Sequence, residues 1–176
     1  MNIIIEQAKN RFLDLLTFKS HLRLEHDHED EYLKAIIDMA TEILENSIGK
    51  PILKKKYKYI HYSSEFISSK KIQLPAAYVQ NVVSVKKIIN ENLKEKCPYT
   101  TEICGNKTCV ITNGSRYPIE IKYIAGMTDN SAEISKDLQF AVLQIAKNIY
   151  ECSEEDILES KYVKHIIDLH RPMSIN

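Results

Sequence analysis

The stretch that decides the fold is residues 26–62, "HDHEDEYLKAIIDMATEILENSIGKPILKKKYKYIHY". In its first half Leu33, Ile36, Ile37, Ala40, Ile43, Leu44 and Ile48 recur with a period of about 3.6, the mark of a helix that buries one wide face. Gly49 follows as the residue that tolerates a left-handed backbone after a helix. Pro51, lacking an N–H, forbids continuation. From Ile52 the period becomes two. In "LKKKYKYIHY" Tyr57, Tyr59 and His61 fall on one face, and Lys56, Lys58, Ile60 and Tyr62 on the other. A helix thus hands over to a strand within a few residues.

Upstream, the spacing predicts a first helix from about Leu15 to Leu22, with Asp14 as N-cap. "RLEHD" breaks that pattern. Asp27 is expected to cap the second helix, with Glu29, Asp30 and Glu31 complementing the positive end of its dipole. Downstream, "IQLP", "VVSVKKI", "CVIT" and "IEIKYIAG" read as short strands, and Asn113-Gly114 as a turn between two of them. Residues 52–126 are therefore expected to form an antiparallel β unit of four to six strands. After "GMTDNSAE" helical spacing returns in Ile134, Leu138, Ala141, Val142, Ile145 and Ile149. Ser153 with Glu154 to Asp156 is expected to open a fourth helix, which carries Ile157, Val163, Ile166, Ile167 and Leu169 before Pro172. The expected fold class is α+β: a four-helix core with an inserted antiparallel β unit. The expected organisation is a single domain over 1–176, with N-terminal helices in 1–51, the β unit in 52–130, and C-terminal helices with a docking tail in 131–176.

Twenty-four basic and 24 acidic residues balance to a formal net charge of zero, and 44% of the chain is apolar. That balance disfavours a protein that binds nucleic acid through a global basic surplus, while leaving room for local basic patches. No apolar run reaches the roughly 20 residues of a membrane span, so no membrane partner is expected. The opening "MNIIIEQAKNRFLDLL" has three consecutive apolar residues and then charges, and is read as no secretory signal. Cys97, Cys104, Cys109 and Cys152 contain no C-x-x-C pair, so reduced thiols are expected and a zinc site is not.

The most reactive-looking stretch is "HDHEDE", residues 26–31. Two histidines two apart point to opposite sides of a helix, and a metal site needs three or more ligands converging from rigid elements. A metal-dependent phosphohydrolase of the HD type would have to recruit His165 and Asp168 to His26 and Asp27. A nucleic-acid-binding regulator would have to use Lys54 to Lys56 and the interleaved aromatics of "KKKYKYIHY". The plainer reading of that run is a strand with a solvated lysine edge. Neither G-x-S-x-G nor a glycine-rich phosphate loop occurs, and the chain has only four glycines. No catalytic residue, metal or cofactor is expected.

"FKSHLRLEHDHEDEYLKAIIDMATEILENSIGK" resembles the N-terminal signature of the head–tail connector (adaptor, or head-completion) proteins of long-tailed bacteriophages and prophages. A short helix ends in a K-x-H-L-R pattern, here Lys19, His21, Leu22 and Arg23, and an acidic loop leads into a long helix ending near Gly49. "IQLPAAYVQNVVSVKKI", "IEIKYIAGM" and "ISKDLQFAVLQIAKNIYE" are similar to the family's middle strands and third helix, and "IIDLHRPMSI" to its closing segment. The family's usual arginine after the third helix is absent, since Cys152 and Ser153 stand there, and His170 replaces a tyrosine before the terminal arginine.

The resemblance implies a structural virion protein and not an enzyme. Its copies would form a homo-oligomeric ring below the portal protein, extend the DNA channel, and dock tail or stopper proteins. DNA would pass without sequence recognition. The protein would be found in the virion, and in the bacterial host cytoplasm during assembly. A monomer in isolation is compatible with this, because such rings often form only on their partner. The resemblance and the exposure expected of loops together assign partner contact to Arg23, Glu25, His26, Asp27, His28 and Asp30. A docking tail would present Leu169, His170, Arg171, Met173 and Ile175.

Overall fold

A computed structural model describes residues 2–6, 11–62, 69–105, 107–113, 115–153 and 157–171. It is an α+β protein, with four α-helices and two antiparallel sheets among the described residues. The chain divides into a β unit, Lys54–Met127 with the N-terminal strand, and a helical unit built from the segments on either side.

In the helical unit, α1 (Leu15–Leu22) starts where Asp14 accepts a hydrogen bond from the Thr17 amide, as its sequence predicts. The long α2 (Asp30–Ile48) buries Leu33, Ile36, Ile37, Ala40, Leu44 and Ile48. Each large aliphatic residue of that face contributes roughly 1.5–3 kcal/mol on burial. Gly49 ends the helix at φ +72°, its N–H returned to the last turn. The buried Glu45 carboxylate accepts the Ile52 amide at 2.8 Å, which fixes the direction in which the chain leaves. Packed on α2 is α3 (Lys136–Tyr150), through Leu138, Ala141, Val142, Ile145 and Ala146. Last comes α4 (Lys161–His170), burying Val163, Ile166 and Ile167.

Two helix starts differ from expectation. Asp27 does not cap α2; Glu29 precedes the first turn without a side-chain cap, and Asp27 is drawn instead to a lysine. The fourth helix begins at Lys161 and not at Ser153. A 3-10 turn over Ile157–Glu159 comes first, and Glu154 to Asp156 lie outside the described residues.

The described residues of the β unit hold seven strands where four to six were expected. They are β2 (Lys55–His61), β3 (Ser69–Ala77), β4 (Val79–Ile88), β5 (Lys94–Lys96), β6 (Tyr99–Cys104), β7 (Lys107–Asn113) and β8 (Ile119–Ala125). An eighth, β1 (Asn2–Glu6), comes from the N-terminal segment expected to be only helical, and pairs with β2. One sheet runs β1-β2-β8-β4-β5 and the other β3-β7-β6. Asn113 therefore does not lead into a hairpin: β7 and β8 belong to different sheets, and Gly114 lies outside the described residues. The chain changes sheet between β3 and β4 at a single residue, Tyr78, in the left-handed region at φ +55°. Both sheets feed one core, where the Tyr57 and Tyr123 rings stack at 5.3 Å among Ile72, Leu74, Val110 and Ile121.

The expectation of reduced thiols is corrected at two positions. Cys104 and Cys109, diagonal neighbours across the β6–β7 hairpin, are joined as a disulfide, while Cys97 and Cys152 are free. Their separation of five residues spans a tight turn at Gly105 (φ +65°), which brings the two strands back together.

Candidate functional site: the charged joint of the helical unit

The acidic stretch is a joint with an organised interior. Lys19, on the last turn of α1, is only 5% exposed. Its ammonium contacts Asp27 at 2.5 Å and Asp30 at 2.9 Å, so it bridges the loop and the first turn of α2. Hydrogen bonds to these two carboxylates hold the Lys19 pKa above its ordinary value, and the bond to Lys19 holds Asp27 below its own. Glu29 is engaged as well: the Tyr150 hydroxyl at the end of α3 donates to its carboxylate at 3.1 Å. That hydrogen bond raises the Tyr150 pKa, and the Tyr32 ring lies alongside at 6.4 Å.

Arg23 closes α1 at φ +59°, its N–H returned to the carbonyls of Lys19 and Ser20. Such a backbone costs a non-glycine residue roughly 1–2 kcal/mol, so the turn is held by the bonds around it. The side chains of Arg23, Glu25, His26 and His28 are exposed. The His26 and His28 rings stack at 5.9 Å. Among the described residues no three His, Cys, Asp or Glu side chains gather as a metal-ligand group. His165 and Asp168 lie exposed on α4, where Asp168 pairs with Arg171. The expected contact residues thus divide in two: Asp27 and Asp30 build the joint, and Arg23, Glu25, His26 and His28 are presented by it.

The C-terminal candidates divide in the same way. His170 Nε2 meets Asp137 in the first turn of α3 at 2.6 Å. Burial alone would raise the Asp137 pKa, but hydrogen bonds with Ser135, His170 and the Leu138 amide hold it at about 2. Arg171 Nε donates to the Ser47 carbonyl, in the last turn of α2, at 3.0 Å. These two residues tie the end of α4 to its neighbours, leaving Leu169 exposed at 65%. Met173 and Ile175 lie outside the described residues.

Two features of the β unit escaped the sequence. One is a groove of about 390 Å³ between the start of β4 and β6, lined by Val79, Val82, Thr101 and Ile103 and crossed by a Tyr99 hydroxyl bond to the Val82 carbonyl at 3.0 Å. The other is the extension of the Lys56–Lys58 face of β2 across the five-stranded sheet, through lysines of β8, β4 and β5.

Comparison with known proteins adds the decisive observation. Residues 12–106, more than half of the chain, match the family described as phage gp6-like head-tail connector protein. The chain belongs to that family. The match contains the charged joint, both N-terminal helices and strands β2 to β6. No curated protein sequence matches the chain. Solved structures share the connector's fold over its whole length at low identity. A chain from the neck of an empty gene transfer agent particle, computed with C6 symmetry, has TM-score 0.76 and 16% identity, covering 100% of this chain and 97% of that one. A chain from the virion of a native gene transfer agent particle has TM-score 0.77 and 17% identity, with the same coverage. A third, from a native neck computed with C12 symmetry, has TM-score 0.74 and 16% identity. The connector is therefore a structural protein of the phage head–tail junction.

Proposed function

We propose that copies of this connector form a closed ring below the portal protein, extend the DNA channel, and offer tail or stopper proteins a docking surface. The family match over residues 12–106 carries this reading. Fold likeness to chains from symmetric neck particles supports it. A ring needs head-to-tail contacts that close by rotation. The exposed side of the joint suits one such contact: Arg23, Glu25, His26 and His28 sit on a loop that Lys19, Asp27 and Asp30 hold in shape, so little freedom is lost on binding. Leu169, beside the anchored His170 and Arg171, is the second contact point, with Met173 and Ile175 following in sequence. Contacts of this kind perform assembly without catalysis.

Sedimentation of the connector with portal from the same genome tests the reading. The wild-type chain is expected to co-sediment as a multimer on portal, and a variant with Arg23, Glu25 and His28 replaced by alanine to remain folded and unbound. A folded wild-type chain that never joins portal, or an alanine variant that joins it unchanged, contradicts the assignment.

A further inference from the structure

We propose that the outer face of the five-stranded sheet is a contact surface for the phosphate backbone of duplex DNA. The choice of DNA as occupant rests on the channel reading above.

Strand register places the charges. The face opposite Tyr57, Tyr123 and Ile121 carries Lys56 and Lys58 from β2, Lys122 from β8, Lys86 from β4, and Lys94 and Lys96 from β5. Among the described residues, two carboxylates stand against these six lysines. Glu6 is engaged by Lys56 at 2.6 Å. Glu120, only 3% exposed, is engaged by Lys94 at 2.7 Å. Lys58, Lys86, Lys96 and Lys122 form no ion pair within 4 Å among the described residues. A chain of zero net charge has thus gathered an excess of four positive charges on one sheet face.

The arrangement is also locally unfavourable. Lys58 lies directly opposite Lys122 across two paired strands, and Lys86 directly opposite Lys96. Like charges at facing positions destabilise a sheet, and Glu120 relieves them only in part. A broken local rule without full compensation inside the fold points to a counter-charge from outside. A cationic face a few strands wide suits a regular polyanion, and lysine engages phosphate as a mobile point charge. Nothing on the face reads bases, so contact is sequence-independent and weak per subunit, which lets DNA move past.

The test is equilibrium binding of the intact chain to a labelled duplex of arbitrary sequence, followed by fluorescence anisotropy across salt concentrations. With four phosphates neutralised, log K should fall against log salt with a slope of about −3.6. The pair K58Q/K122Q should reduce the magnitude of that slope by about 2 and leave the melting temperature unchanged or higher. The pair K136Q/K161Q removes the same charge from the helices and should leave the slope as it was. Absence of binding at low salt, an unchanged slope in K58Q/K122Q, or an equal loss in K136Q/K161Q overturns the proposal. So does tighter, lysine-dependent binding of polyglutamate, which would identify an acidic protein surface as the occupant. Ring formation on portal without DNA binding would overturn this inference alone. Lysine-dependent DNA binding by a chain that forms no ring would overturn the connector assembly reading and leave this face assigned.

Discussion

Two charged regions of this chain are wired in opposite ways. At the α1–α2 joint, the buried Lys19 finds Asp27 and Asp30, and Glu29 finds the Tyr150 hydroxyl. On the outer face of the five-stranded sheet, Lys58 faces Lys122 and Lys86 faces Lys96, with Glu120 as a single buried relief among them. The joint satisfies its charges internally and so can hold a loop in one shape. The sheet face leaves charge over, so its electrostatics are completed by a partner. Formal neutrality of the whole chain hides both arrangements.

The largest effect expected of a charge change is at Glu120. Replacing it with alanine removes the carboxylate that pairs with Lys94 and attracts Lys122 and Lys58, and should cost about 1–3 kcal/mol in chemical unfolding. A neutral result would mean that the lysines do not repel one another, and the contrast between the regions would collapse. Lys19→Met comes next. It should lower the melting temperature and let the Asp27 pKa rise toward its ordinary value, read by NMR titration. An unmoved Asp27 would show that Lys19 does not organise the joint.

The third prediction concerns pH. Asp137 titrates at about 2 in the folded chain and nearer 4 when unfolded. Its contribution is therefore fully present above pH of about 4 and is lost as pH falls toward 2. Asp137→Asn should flatten the stability profile across that window and leave its shape at neutral pH the same; an unchanged acid limb would contradict the Asp137 hydrogen bonds. The smallest effect belongs to Lys58→Gln, expected to leave stability unchanged or raise it by about 0.2–1 kcal/mol. Destabilisation by this variant would show that Lys58 is needed by the fold and not held for a partner.

Much of the fold was legible because local patterns carried it. The α2 stripe and its Gly49-Pro51 stop, the Asp14 cap, and the alternation in β2, β4 and β8 all follow from short-range periodicity. The missed β6 is exposed along Tyr99–Ile103, so it shows no apolar alternation, and the three-residue β5 is too short to show any. The division into two sheets was hidden because strand pairing is long-range, and at the β3–β4 crossing the change rests on one left-handed residue, Tyr78, whose side chain gives no hint of a corner. In the site, the exposed joint was legible as an acidic break between helices. Asp27 was misassigned because a helix cap and a distant lysine compete for the same carboxylate, and only packing brings Lys19 within reach. The sheet's lysine face was legible only in β2, where alternation sets Lys56 and Lys58 on one side; Lys122, Lys86, Lys94 and Lys96 join them only through strand register.

The central claim is tested most directly by electron microscopy of purified portal mixed with an excess of the folded chain. A closed ring of added density on one end of the portal, coaxial with its channel, is the predicted result. Portal that stays bare, or chain bound singly at irregular positions, would contradict it.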